Sequence, residues 1–260
     1  MSAVLITQCL QNDFVKPLAS NEPLPNQLHV GHEESKRLIG EDIKTGPTGR
    51  FMDWANNQSA SQLNTIHIRD WHDPGCADQA SHLAQFKPHC IQGTNGADFI
   101  FESNNPEATI VNSTTLNDFE GTNLKSTLDR LKGSTEEKLH IGIIGVWTEA
   151  KILFLAYELA TRYPKAKIAI CSALTASSSR SQHFLALQQL ERLVGATVVN
   201  SIGEFIQFLG GEETTISNKT LDSSLTINTI GDMNLDPEYE FLIRYLFRDC
   251  LQLTLKVLDG

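Results

Sequence analysis

The chain has 260 residues, of which 40% are hydrophobic and 20% charged, a composition that suits a soluble globular protein with one sizeable core. Thirty-one Asp and Glu against 21 Lys and Arg give a formal net charge of -10, which argues against nucleic acid or an anionic membrane as partner. No apolar run reaches membrane-spanning length, and the five scattered cysteines (Cys9, Cys76, Cys90, Cys171, Cys250) do not read as a disulfide framework, so a reducing cytoplasm is the expected compartment.

Residues 3–10 (AVLITQCL) predict a first strand, left by Gln11-Asn12-Asp13-Phe14. Pro17, Pro23, Pro25 and Pro47 break the long stretch that follows, within which residues 31–40 and 49–56 look helical. Residues 63–69 (LNTIHIR) predict a second strand, ending in Asp70-Trp71-His72-Asp73-Pro74. A short helix or loop over 77–86 leads into a glycine-rich loop, 87–99 (KPHCIQGTNGADF). Residues 109–113 predict a third strand and 122–131 a helix. The run 139–146 (LHIGIIGV) is apolar throughout, as expected of a buried parallel strand. After a short junction at 147–151, Ile152, Leu155, Leu159 and Tyr163 recur at helical spacing until Pro164 stops them. A strand over 167–171, a serine-rich turn over 172–181, a helix over 182–194, a short strand over 197–200 and a helix over 202–209 follow.

Strands alternating with helices predict a three-layer α/β domain over residues 1–210, with a mostly parallel central sheet of Rossmann type and helices on both faces. After Gly210-Gly211 the texture changes, and residues 211–260 predict a C-terminal extension or connector. Its stretch 214–230 is polar and β-branched, Asp236-Pro237-Glu238 opens a helix over 240–248, and 250–258 (CLQLTLKVL) alternates like a strand. A terminal strand without a partner implies that the chain belongs to a longer polypeptide, or that this end pairs back onto the sheet.

A strand that breaks sharply into a helix puts its turn at the carboxyl edge of the sheet, where open α/β folds bind ligands. At 147–151 that turn reads Trp147-Thr148-Glu149-Ala150-Lys151, with Lys151 where a nucleophile would be useful. Asp70 and His72, two apart at a strand end, point to one face, and His89 from the glycine-rich loop could close a three-ligand site. Two imidazoles and one carboxylate suit a divalent metal (Zn, Mn or Fe) with open positions for water or substrate. The competing reading has Asp70 capping a turn and His89 hydrogen-bonded in its loop. His82 is a further candidate contact. Ser177-Ser178-Ser179-Arg180 could hold an anion or cap the following helix. Ser113, Thr114 and Thr115 could meet a ligand carbonyl or end a strand. Trp147 could stack on a planar ring or simply pack. His29, His32, His67 and His140 read as structural or surface residues.

Four segments in order resemble the isochorismatase-like superfamily, which includes nicotinamidases and related cysteine amidohydrolases. They are Gln11-Asn12-Asp13-Phe14, Arg69-Asp70-Trp71-His72 with Pro74, His89-Cys90-Ile91-Gln92-Gly93-Thr94 with Gly96-Ala97-Asp98-Phe99, and Gly145-Val146-Trp147-Thr148-Glu149-Ala150-Lys151. The resemblance implies an Asp–Lys–Cys triad, and every one of its positions is substituted here. Cys9 stands for the acid, Val111-Asn112-Ser113-Thr114 lacks the lysine, and Lys151 stands for the nucleophile. In such relatives the bond before the junction threonine can be cis, which points to Val146-Trp147 or Trp147-Thr148.

The resemblance also places Cys9 and Lys151 side by side. They form either a rearranged dyad, with Lys151 lowering the thiol pKa, or a buried thiol beside a lysine paired with an anion such as Asp13, Glu149 or a ligand. Asp13, Ser113, Trp147 and Thr148 are the expected ligand contacts. The preferred expectation is a domain without the triad, acting as a non-catalytic module for a small molecule or protein partner. The alternative is an amide or C–N hydrolase using Cys9 and Lys151, with metal at Asp70, His72 and His89. A third is the N-terminal module of a larger signalling or regulatory protein. Homo-oligomers are common among such relatives.

Overall fold

The protein is represented by a computed structural model that describes residues 2–103, 105–132 and 139–211. Six strands, β1 (Ser2–Gln8), β2 (Leu63–Asp70), β3 (Thr109–Ser113), β4 (Leu139–Val146), β5 (Lys167–Ala176) and β6 (Thr197–Val199), form one sheet in the order β3-β2-β1-β4-β5-β6. Every neighbouring pair is parallel. The chain winds outward from β1 to β3, returns to the centre, and winds outward again from β4 to β6. β1 and β4 therefore adjoin at the point where the winding reverses, and the crevice beyond their carboxyl ends is where such sheets take ligands.

The described helices are α1 (Asn12–Val15), α2 (His32–Ile39), α3 (Pro47–Asn56), α4 (Ala80–Phe86), α5 (Leu124–Lys132), α6 (Leu153–Arg162), α7 (Arg180–Gln189) and α8 (Ile202–Phe208). Alternation along the strands sorts them into two layers. Ala3 and Leu5 of β1 and Ile144 and Val146 of β4 face a core shared with Leu38 and Ile39 of α2, Phe51 and Met52 of α3, and Phe205 and Ile206 of α8. Val4, Ile6, Leu139, Ile141 and Ile143 face the opposite core, with Leu124 and Leu128 of α5, Leu155 and Leu159 of α6, and Leu187 of α7. All eight residues of β4 are buried, which is why its sequence is apolar without alternation. This is the three-layer α/β architecture that the alternating pattern predicts.

β5 runs five residues past the predicted end at residue 171. Ser172 interrupts the apolar pattern, but Ala173, Leu174 and Ala176 beyond it are buried. An irregularity in the β4–β5 register, between Ile143 and Gly145, accommodates the extra length: Ile143 pairs with Ile170, then Gly145 with Thr175. The Thr175 hydroxyl closes the excursion by donating to the Cys171 carbonyl at 3.0 Å. A β-bulge of this kind commonly sits beside a functional site. The readings of residues 212–260, with Cys250, lie outside the described residues. Among the described residues no helix is long and apolar enough to cross a membrane.

Gly145 is required where β4 passes β1. Its φ is +118°, and a Cβ there would lie 2.0 Å from the Gln8 carbonyl oxygen. Both the backbone conformation and the space exclude a side chain. Gly145→Ala is expected to cost at least about 3 kcal/mol, measured by urea denaturation. Gly203→Ala in α8, where a Cβ meets nothing within 4 Å, is the control, expected within about 0.5 kcal/mol of the parent.

His67 lies fully buried against the stacked rings of Phe99 and Phe101, with Nδ1 bonded to the Thr7 hydroxyl at 2.8 Å. Burial pushes its pKa down to about 4. Between pH 6.5 and 4 the unfolded chain thus binds the proton that the folded chain refuses. Stability contributed by neutral His67 is lost as pH falls through that window, by up to about 3 kcal/mol. The stability loss over this window should be smaller by that order in His67→Gln; an unchanged pH slope refutes the assignment.

Candidate functional site

The loops beyond β1 and β2 are tied together by Gln11, Asn12 and Asp13. The Gln11 side-chain amide donates to the carbonyls of Asp70 (2.7 Å) and Ala97 (2.9 Å), and its oxygen accepts the Asp70 N–H at 2.8 Å. Asn12 donates to the Asn95 carbonyl at 2.8 Å. Asp13 Oδ2 accepts the Cys90 N–H at 2.7 Å, and a Cβ on Gly96 would lie 2.4 Å from the Asp13 carboxylate oxygens. The segment is thus a clamp that fixes Asp70 and closes the glycine-rich loop. Asp13, expected at a ligand, is occupied by loop backbone.

Asp70 ends β2, His72 follows two residues later, His82 comes from α4, and His89 from the glycine-rich loop. One ligand atom from each of the three histidines falls within 4.8 Å of the others. His89 Nε2 is 3.5 Å from Asp70 Oδ2, and His72 Nε2 is 3.8 Å from it. The opposite ring nitrogens are already assigned. His72 Nδ1–H donates to Gln79 Oε1 at 3.0 Å, and His89 Nδ1–H donates to the Lys87 carbonyl at 2.7 Å. In the neutral tautomers so fixed, both Nε2 lone pairs face a carboxylate oxygen. His72 Nε2 is buried and has no hydrogen-bond partner among the described residues. Lone pairs converging on a carboxylate, with Gln79 and the Lys87 carbonyl accepting from the far side of the rings, fit a divalent cation. His82, half-buried, has its pKa lowered to about 4 by burial and then by His72, which keeps its ring neutral as a ligand must be.

Cys9 and Lys151 meet at the other oxygen of Asp70. Lys151 Nζ is 3.0 Å from Asp70 Oδ1, and the Cys9 thiol donates to that same atom at 3.5 Å. Lys151 rises from a π-helical turn (Thr148–Ile152) that leads β4 into α6. Its ammonium also donates to Asp118 Oδ1 (2.6 Å), the Thr115 carbonyl (2.6 Å) and Ser113 Oγ (3.0 Å). Lys151, Asp70 and Asp118 are all buried.

Burial alone would lower the Lys151 pKa, but the Asp118 and Asp70 carboxylates outweigh it and hold the ammonium well above its ordinary range. Burial would raise the Asp70 carboxyl, yet the Lys151 ammonium holds it well below the usual value. Asp118 is raised by burial, with Lys151 opposing. The Cys9 thiol is pushed well above its ordinary value by burial and then by Asp70. Cys9 also adopts a left-handed backbone, φ 51°, uncommon for a residue other than glycine. Asp13 and Glu149, the anions suggested by sequence for Lys151, are engaged elsewhere: Glu149 Oε1 accepts from Ser178 N–H and Oγ–H at 3.2 and 2.9 Å. Asp118 and Asp70 replace them.

Among the remaining expected contacts, Ser113 accepts from Lys151 and donates to the Thr115 carbonyl. Thr148 is fully buried, donating to the Ala176 carbonyl at 3.0 Å and accepting from His183 Nδ1 at 2.9 Å, so it orders the junction. The Val146-Trp147 bond is cis. The Trp147 ring packs against the core, and its Nε1 is buried without a hydrogen-bond partner among the described residues. Ser179 caps α7, its hydroxyl accepting the Gln182 N–H at 3.3 Å. Asp118 and Gln79 were not named from sequence. Asp118 lies in an irregular loop with no periodicity to mark it, although Gln79, seven residues after His72, is the kind of acceptor a ligand histidine needs.

A family model described as "Isochorismatase domain" matches residues 4–202. No curated protein sequence matches the chain. Among solved structures, the nicotinamidase/pyrazinamidase of Bacillus subtilis is 21% identical with a TM-score of 0.59, covering 77% of this chain and 100% of its own. The pyrazinamidase of Pyrococcus horikoshii in complex with zinc is 20% identical, TM-score 0.56, with 77% and 100% covered. The N-carbamoylsarcosine amidase of Thermoplasma acidophilum is 19% identical, TM-score 0.54, with 76% and 95% covered. These likenesses share the fold.

Removing one member of the buried ion cluster leaves the others uncompensated. Lys151→Met is expected to cost about 3–5 kcal/mol. Combined with Asp118→Leu, the loss should be smaller than the sum of the two single losses by at least about 1 kcal/mol. Chemical denaturation of the four proteins checks it, and strict additivity would show that the pair is not coupled.

Proposed function

The chain belongs to the isochorismatase family, and from that premise we propose that it is a member without thiol-hydrolase chemistry, working as a metal-dependent binding domain for a small-molecule ligand. The observation that carries this reading is the engagement of Lys151 by Asp118 and Asp70 beside a buried Cys9 thiol that faces the Asp70 carboxylate. A thiolate is the attacking species in such hydrolases. An ordinary thiol, with a pKa of about 8.5, is only about 3 per cent thiolate at pH 7, and here burial and the Asp70 carboxylate push the balance further toward the thiol. The ammonium that would have to lower it is already balanced by two carboxylates. Lys151 is also no nucleophile itself, because those carboxylates keep its amine protonated.

His72, His82, His89 and Asp70 are the residues that would hold a divalent cation. Bound there, the cation supplies a Lewis-acid position for an oxygen or nitrogen atom of a ligand. The chain's own residues do the rest. Gln79 and the Lys87 carbonyl fix the histidine tautomers, Gln11 fixes Asp70, and Asp13 holds the loop that carries His89. The zinc named for the Pyrococcus horikoshii pyrazinamidase is consistent with this assignment.

Two measurements test the reading. Purified protein should hydrolyse nicotinamide and small amides no faster than a Cys9→Ala variant does, and iodoacetamide should label Cys9 at neutral pH more slowly than a free thiol. Turnover that disappears with Cys9→Ala restores the hydrolase reading. Zinc binding, followed by competition with a chromogenic chelator, should be lost in His72→Ala and weakened roughly 10–100-fold in Gln79→Ala. Unchanged affinity in His72→Ala places the metal elsewhere or nowhere.

A further inference from the structure

We propose that Lys151 sets the metal affinity of the histidine–aspartate cluster, acting as an internal cation that competes with the bound metal for the charge of Asp70. The proposal rests on the metal reading above and goes beyond it. Asp70 presents its two oxygens to two different demands. Oδ1 takes the Lys151 ammonium at 3.0 Å, while Oδ2 faces His89 Nε2 at 3.5 Å and His72 Nε2 at 3.8 Å. A divalent cation among the Nε2 atoms and Oδ2 would be separated from the ammonium by one carboxylate group. Both sites are buried, so solvent and salt screen that repulsion poorly.

How strongly Lys151 draws on Asp70 depends on its other partners. The three hydrogens of the ammonium go to Asp118, Ser113 and the Thr115 carbonyl, while Asp70 holds it as an ion pair, so its charge is divided between two carboxylates. The second of these, Asp118, is buried, and its Oδ2 has no hydrogen-bond partner among the described residues. Its charge therefore bears chiefly on Lys151 and relieves part of the claim on Asp70. Lys151 and Asp118 thus act on the metal site with opposite sign although neither is placed to ligate it.

The opposite signs make the proposal testable. Zinc affinity of the full chain is measured at fixed pH, by chelator competition, for the wild type, Lys151→Met and Asp118→Asn. Circular dichroism verifies that each is folded. Lys151→Met should bind zinc at least tenfold more tightly than wild type, and Asp118→Asn at least threefold more weakly. A merely structural role for the pair would loosen the site in both variants, so weaker binding by both overturns the proposal. Unchanged affinity in both also overturns it while leaving the metal reading intact. If Lys151→Met does not fold, Lys151→Gln, which removes the charge but keeps a polar side chain, takes its place: tighter zinc binding than wild type is expected, and weaker or unchanged binding overturns the proposal. Zinc bound by none of the three proteins removes the metal reading and this inference with it.

Discussion

A lysine ammonium buried between two carboxylates governs the centre of this molecule. Lys151, Asp70 and Asp118 are each withdrawn from water, and no one of them would remain ionised there without the others. Desolvating a charge costs several kcal/mol, so the cluster survives only because the attraction is short-range, hydrogen-bonded and geometrically fixed. That requirement reaches outward. Lys151 must leave a π-helical turn at one position, Asp70 must end β2 in one orientation, and Asp118 must come back from the loop after β3. The sheet brings these three points together because β2, β1 and β4 are neighbours.

The same constraint underlies the proposal that this chain lacks thiol-hydrolase chemistry. A nucleophilic thiol wants a nearby positive charge that is not already neutralised. Here the Lys151 ammonium beside Cys9 is paired with two carboxylates, and one of them, Asp70, faces the thiol as well. The protein has instead kept a rigid second half of the pocket. Its histidines have settled tautomers, its aspartate is clamped from behind, and its loop is pinned by Asp13. Such preorganisation is what a metal site needs in order to hold neutral imidazoles against a carboxylate without a proton between them.

Much of the fold was legible in the sequence because it rests on local periodicity. The apolar run of β4 and the recurrence of Ile152, Leu155 and Leu159 state burial and helix directly. Where the fold departs from the pattern, a single residue hides it: Ser172 ended the apparent run, but the bulge opposite Gly145 lets β5 continue through Ala173 and Leu174. In the site, Asp70 and His72 were legible through their two-residue spacing at a strand end, and His89 through the loop that carries it. Gln11 looked like a motif residue but gave no hint that both ends of its amide tie two loops together. Asp118 was illegible because its partner lies 33 positions away, joined only through the order of the strands.

Sequence by itself determined the layers, the parallel strands and the family, because hydrophobic spacing and short motifs are local properties that a chain carries wherever it folds. It also determined that Cys9 and Lys151 stand where the resemblance places an acid and a nucleophile. Only the tertiary structure decided which charges meet. A pKa or a metal site depends on distances of a few ångströms between residues from different strands and loops. Those distances are set when the sheet closes around β1 and β4, not by any segment alone.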